Sequence, residues 1–178
     1  MAKESRISRI IGVDNIRLQL QAPMAWQEII ECTPPDEEPC LPSPRDMREQ
    51  IIAELIDLIL PSEVIQHQGR LYNDLIFRER KAPTCLGRGI AVPHVRSEHV
   101  RDIAIGFART DYPIDWEASD GIPVDLFLIM VAPTYDDAIY NRLWPKIATI
   151  LRFEETLERL RSAEQPGEVI AIIKSAEM

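Results

Sequence analysis

Positive charge is in short supply in this 178-residue chain. It carries 20 Lys and Arg against 29 Asp and Glu, a net charge of −9 with histidine neutral. Affinity for nucleic-acid backbones comes mainly from Lys and Arg, so no DNA or RNA partner is expected. An anionic membrane surface is disfavoured on the same ground. Cysteine is scarce: Cys32, Cys40 and Cys85 make an odd count, with neither a C-x-x-C pair nor a zinc-knuckle spacing. Free thiols in a reducing compartment are the expectation. Long apolar runs are missing. The longest, from Leu126 to Ala132, falls far short of the ~20 residues that a membrane span needs. Met1 to Arg6 carry charge with no apolar stretch behind them, so no secretory signal is read there. The expected location is the cytoplasm. Common catalytic signatures are also lacking: no G-x-S-x-G elbow and no G-x-x-x-x-G-K-[ST] phosphate loop. The three histidines, His67, His94 and His99, have no companions at metal-ligand spacing, so no metal is expected.

What the chain does contain is enough apolar residue, 46%, to bury a core without a disulfide or metal. Ile16, Leu18 and Leu20 alternate with polar residues, which predicts a half-buried strand. Thr33 to Pro44 holds five prolines and three acids and reads as an exposed loop. Ser43-Pro44 then opens a helix, with Ser43 as N-cap and Asp46 at the positive end of its dipole. Met47, Ile51, Ile52, Leu55, Ile56 and Ile59 recur at helical spacing up to the stop at Pro61. A second helix carries Leu71, Leu75 and Ile76 on one face and ends near Arg80. Pro83, Gly87 and Gly89 mark a loop that leads into a short strand, Ile90-Ala91-Val92, ended by Pro93. Buried strands follow over 103–108 and 124–131, separated by a turn at Ser119-Asp120-Gly121. Helices are read over 138–153, kinked or started near Pro145, and over 154–163 and 167–174. Strands separated by helices predict an α/β domain with helices on both faces of a sheet.

Among the histidines, His67 and His99 sit among polar residues and read as solvated surface side chains. Trp26 and Trp144 read as packing residues. His94 differs, because it follows a buried strand and a proline and is therefore presented at a strand end with a fixed direction. Imidazole is also the side chain poised between charge states near neutral pH.

The stretch Arg78-Glu79-Arg80-Lys81-Ala82-Pro83-Thr84-Cys85-Leu86-Gly87-Arg88-Gly89-Ile90-Ala91-Val92-Pro93-His94 resembles the signature of the fructose/mannitol-type enzyme IIA domains of the bacterial phosphotransferase system. The nitrogen-regulatory IIA proteins belong to the same group. That pattern reads Arg-Glu, a few residues, Ser-Thr-Gly-Ile-Gly, one residue, Gly-Ile-Ala-Ile-Pro-His. Arg78, Glu79, Thr84, Gly87, Gly89, Ile90, Ala91, Pro93 and His94 fit it in register. Asp120 to Leu126 and Val131-Ala132-Pro133 look like the family's hairpin and following strand.

The resemblance implies a three-layer α/β/α sandwich around a mixed β-sheet. It divides the chain into a IIA-like domain over 45–178 and an N-terminal strand with a Pro-rich extension over 1–44, packed on that domain. It implies that His94 is phosphorylated by a histidine phosphocarrier protein, then passes the group to a IIB cysteine or signals to a regulatory target by its state. The chain would then be a phosphotransferase component, and the resemblance implies no bound metal or organic cofactor. Arg78 falls at the family's active-site arginine, whose guanidinium takes two phosphate oxygens at once. Thr84, Gly87 and Gly89 are expected where backbone approaches the bound group, and Glu79 is expected to bond the loop amides. Two departures stand out. Cys85 occupies a usual glycine position, which is costly if that site needs φ > 0. Tyr140 falls where the family has a second histidine, and a phenol donates one hydrogen bond without carrying charge. A competing reading follows from these departures: a regulatory interaction module that keeps the fold without transferring phosphate.

Overall fold

The computed structural model describes residues 6–177. Its organising element is β6 (Val124–Pro133), inside which runs the longest apolar stretch of the sequence. Leu126, Leu128 and Met130 point into one core, while Phe127, Ile129 and Val131 point into another. A strand with alternate residues in two cores must be apolar at every position, which is why no polar alternation marks it.

On one side β6 pairs antiparallel with β5 (Ala104–Ile114). On the other it pairs in parallel with β3 (Ile90–Ala91) and then β4 (His94–Ser97). β1 (Ile16–Arg17) adds in parallel outside β5, and β2 (Cys85–Gly87) antiparallel outside β3. The sheet is therefore mixed, in the order β1-β5-β6-β3-β2, with β4 also on β6.

Helices cover both faces. α3 (Pro44–Ile59) and α4 (Gln68–Lys81) pack Ile51, Leu55, Leu71 and Leu75 on the Phe127 face. On the Leu128 face lie α1 (Ile7–Ile10), α5 (Asp137–Ile150), α6 (Glu154–Ser162) and α7 (Pro166–Ala176), which contribute Ile7, Leu143, Leu157 and Ile173. This is the expected three-layer α/β/α arrangement. The signals at the start of α3 are realised: Pro44 takes the first position and Ser43 Oγ accepts from the Asp46 amide at 3.2 Å.

The segment over 16–32 departs from expectation. Only Ile16–Arg17 is strand, although the Leu20 amide still reaches the Arg109 carbonyl at 3.1 Å. The chain then turns into α2 (Gln21–Cys32), a helix the alternation did not foretell. No local side chain caps it. Glu54, on α3, accepts from the Gln21 amide at 2.8 Å and the Ala22 amide at 3.1 Å, and also takes Arg17 at 2.7 Å. A carboxylate at a helix N-terminus satisfies orphan amides and the dipole together. The cap comes from another element, so local sequence does not reveal it. Trp26 packs α2 down, 6% exposed.

Further differences bear on the site. Pro93 does not end the strand region: β4 follows at once, with the Met130 amide donating to the Pro93 carbonyl at 3.0 Å. Proline withholds one ladder donor, so the pairing breaks between β3 and β4 and then resumes. β2 was read as loop, and β5 runs on to Ile114. α5 passes through Pro145 as one helix.

Gly106 on β5 lies where α3 meets the sheet. A Cβ there would stand 2.7 Å from Ile59 Cγ2, 3.1 Å from Ile129 Cγ2 and 3.3 Å from the Asn15 carbonyl oxygen. Gly106→Ala should lower stability by about 1–3 kcal/mol, the usual cost of overpacking a tight core. Urea unfolding reads this as a lower midpoint at unchanged slope, and an unchanged midpoint would refute it.

Candidate functional site

β4 delivers His94 half-buried at the beginning of the resumed ladder, paired with Met130. Its Nδ1 lies 2.7 Å from the Val92 carbonyl oxygen. A carbonyl only accepts, so Nδ1 carries the proton and the lone pair sits on Nε2. Nη2 of Arg78 stands 3.4 Å from that Nε2 and donates toward it. Arg78 is in the last turn of α4, and its Nη1 donates to the Ala82 carbonyl at 2.9 Å, close to the negative end of the helix dipole.

His94 and Arg78 are also joined by a second route. Glu79, next to Arg78, is only 8% exposed and accepts three hydrogen bonds. They come from the Thr84 amide (2.9 Å), the Thr84 hydroxyl (2.5 Å) and Trp116 Nε1 (2.7 Å). The Thr84 carbonyl in turn accepts from the Val92 amide at 2.9 Å. Glu79, Thr84, Val92 and His94 thus form a continuous chain of bonds that ties the histidine ring to the end of α4.

α5 closes the other side. The Trp144 ring meets His94 edge to face with centroids 4.6 Å apart, and Tyr140 stands 5.9 Å from Trp144 in the same fashion. The Arg96 guanidinium lies over the Tyr140 ring at 5.5 Å and is ion-paired with Asp137. The result is an open cleft of about 390 Å³ lined by Arg78, His94, Val95, Arg96, Thr134 and Tyr140. A cleft open to solvent, with an unprotonated imidazole nitrogen facing a guanidinium, accommodates an anionic group attached to that nitrogen.

The model of the family described as "Phosphoenolpyruvate-dependent sugar phosphotransferase system, EIIA 2" matches residues 44–176. The chain belongs to this family. It is 32% identical over 108 residues to a nitrogen regulatory protein of Bradyrhizobium diazoefficiens, covering 61% of this chain and 71% of that one. Its fold is that of the nitrogen regulatory protein IIA-Ntr of Neisseria meningitidis, with TM-score 0.74 and 24% identity over 94% of this chain and 98% of that one. The fold is also shared by the enzyme IIA of the mannitol system of Escherichia coli, solved in complex with its phosphorylated enzyme IIB. There the TM-score is 0.68 and the identity 16%, over 93% of this chain and 97% of that one.

Of the residues this EIIA chain was expected to use, the fold brings His94, Arg78 and Tyr140 into one cleft. Thr84, Gly87 and Gly89 do not line it. Thr84 is buried and its hydroxyl is taken by Glu79, so it acts on the ring only through the backbone chain. Gly87 and Gly89 shape the β2–β3 turn at φ +76° and +77°. Between them Arg88 also sits at φ +54°, where an L side chain is disfavoured by roughly 1–2 kcal/mol. Its guanidinium donates to the Arg152 and Leu151 carbonyls at the end of α5, at 2.9 and 2.6 Å, which holds it there. Positive φ therefore falls on these three residues and not on Cys85, so the thiol at a usual glycine position carries no backbone strain.

Two residues around His94 and its cleft escaped the sequence reading. Trp144 packs against the core as expected, but its ring also meets that of His94. The Tyr140/Trp144 spacing of four on a helix was the available signal. Arg96 was missed because a strand between Pro93 and Arg101 was not foreseen. His99 is half-buried, edge-on to His67 with centroids 5.6 Å apart, and so differs from a plain surface side chain. Among the described residues no three His, Cys, Asp or Glu side chains gather as a metal site, and no helix is long and apolar enough to cross a membrane.

Burial pushes the His94 pKa below its ordinary 6.5; the bond to Val92 opposes this and the Arg78 charge adds to it. The neutral ring therefore persists below pH 6.5. Ring NMR should give a midpoint under 6.5, and Arg78→Gln should move it upward by removing a like charge. A midpoint at or above 6.5 would contradict the geometry. The linked stability term has a definite sign. The unfolded chain binds this proton first, so the contribution is complete above 6.5 and fades as pH falls towards the lower folded value. Glu79→Ala should cost about 3 kcal/mol in urea unfolding, because Trp116 Nε1 and the Thr84 amide lose their buried acceptor.

Proposed function

We propose that this EIIA chain is a phosphoryl carrier. His94 Nε2 accepts phosphate from a histidine phosphocarrier protein, then passes it to a IIB cysteine or reports it to a regulatory target. The observation that carries this reading is the bond from Nδ1–H to Val92, which leaves the Nε2 lone pair facing Arg78 in an open cleft. In the transfer, the Nε2 lone pair forms the new N–P bond. The donor's N–P bond breaks, and its electron pair returns to the donor ring. His94 keeps its Nδ1 proton on Val92, so the phosphorylated ring is formally cationic beside the phosphoryl oxygens. A displacement of this kind needs alignment and charge stabilisation more than proton transfer. The Val92 bond supplies the first and Arg78 the second.

The nitrogen regulatory relative supports a signalling role, and the structural likeness to a mannitol IIA bound to phosphorylated IIB supports a cysteine acceptor. The net charge gives no support to a nucleic-acid partner.

Incubation with the general phosphotransferase proteins and phosphoenolpyruvate should label the wild type at Nε2 of His94. His94→Ala should take no label, and Arg78→Ala should slow labelling about 10²-fold, the usual loss when one preorganised charge donor is removed. Mass spectrometry under alkaline conditions reads the adduct. A folded wild type that stays unlabelled with every cognate donor would favour the interaction-module reading instead.

A further inference from the structure

The proposed carrier chemistry leaves one cation in the cleft without a role. His94 and Arg96 are two apart on β4 and therefore project to the same side of the sheet. That side faces α5, where Arg96 lies over Tyr140 and pairs with Asp137. Arg78 reaches the same space from α4, in the opposite layer. Two guanidinium groups thus line one cleft with His94, Arg78 from α4 and Arg96 from the sheet.

On that carrier reading, we propose that Arg96 is the second phosphate-binding cation of the site, and that Asp137 is the counter-ion it leaves when His94 becomes phosphorylated. Three observations support this. The Tyr140 phenol offers phosphoryl oxygens one hydrogen bond and no positive charge, and the Arg96 guanidinium lies 5.5 Å from its ring. The Arg96–Asp137 pair is exposed, at 46% and 64%, and a pair that wet is weak and easily exchanged. A phosphoryl dianion on Nε2 offers more charge than one carboxylate and oxygens suited to a guanidinium fork. The Tyr140 face keeps the guanidinium beside the cleft in both states. Asp137 lies in the first turn of α5. Release of this carboxylate on phosphorylation gives that surface helix end a charge that differs between the two states.

The group itself tests this without any protein partner. Potassium phosphoramidate donates a phosphoryl group to imidazole nitrogen: its P–N bond breaks, ammonia leaves, and the N–P bond to His94 forms. Titrating the phosphoryl ³¹P resonance then reads the positive charge around it. In Arg96→Ala the apparent phosphoryl pKa should rise by about half a unit or more, the scale of one partly solvated ion pair. Arg96→Lys should restore most of the shift, because it keeps the charge. Asp137→Asn should lower the pKa by freeing Arg96. A merely structural role for Arg96 would not produce this charge-dependent ordering. Coincident titrations for wild type and Arg96→Ala, with His94→Ala unlabelled, would overturn the Arg96 assignment and leave the carrier intact. A folded wild type that takes no phosphoryl group from either phosphoramidate or a carrier protein would overturn both.

Discussion

A single hydrogen bond, from the His94 Nδ1–H to the Val92 carbonyl at 2.7 Å, decides what the cleft is able to do. Without it the two ring nitrogens would compete for the proton and the ring would rotate about its side-chain bonds. With it, the proton and the ring plane are assigned, and one nitrogen is left with a lone pair facing solvent and Arg78. The bond depends on Pro93, which breaks the ladder between β3 and β4, so that the Val92 carbonyl and the His94 ring meet across two residues. The motif ending in Pro93-His94 is in this sense one mechanical unit.

The rest of the molecule serves to hold that unit against α4. The buried carboxylate of Glu79 connects Trp116, the Thr84 amide and the Thr84 hydroxyl, and the Thr84 carbonyl accepts from Val92. A displaced Glu79 would therefore disturb Arg78 and His94 together. β6 supplies the rigid backing, since its side chains are locked into both cores. The geometry of the cleft in this EIIA chain follows from a burial constraint, since the buried Glu79 carboxylate must have its hydrogen bonds filled.

Much of this could be read along the chain. The N-cap of α3, the helical spacing before Pro61 and the buried run of β6 all rest on short-range rules and lie where they were read, whereas His94 follows its strand and proline but opens a further strand. The misses share one cause. α2 is capped by Glu54 from another helix, β4 resumes only because β6 is there to pair with it, and Arg96 joins the cleft only because α5 brings Tyr140 and Asp137 to it. Thr84 was read as touching the bound group because it falls within the motif. In the fold it is a link in the backbone chain, its hydroxyl already bonded to Glu79.

The sequence by itself determined most of the helices, the central strand and the family resemblance, and it singled out His94. Periodicity, capping and the order of residue types around Pro93 act over a few positions, and a few positions suffice to read them. The tertiary structure alone decided which nitrogen of His94 carries the proton, that Arg78 reaches the other, and what stands behind them. Those facts are distances between residues far apart in the chain, set by how two layers of helices settle on one sheet, and no local pattern encodes them.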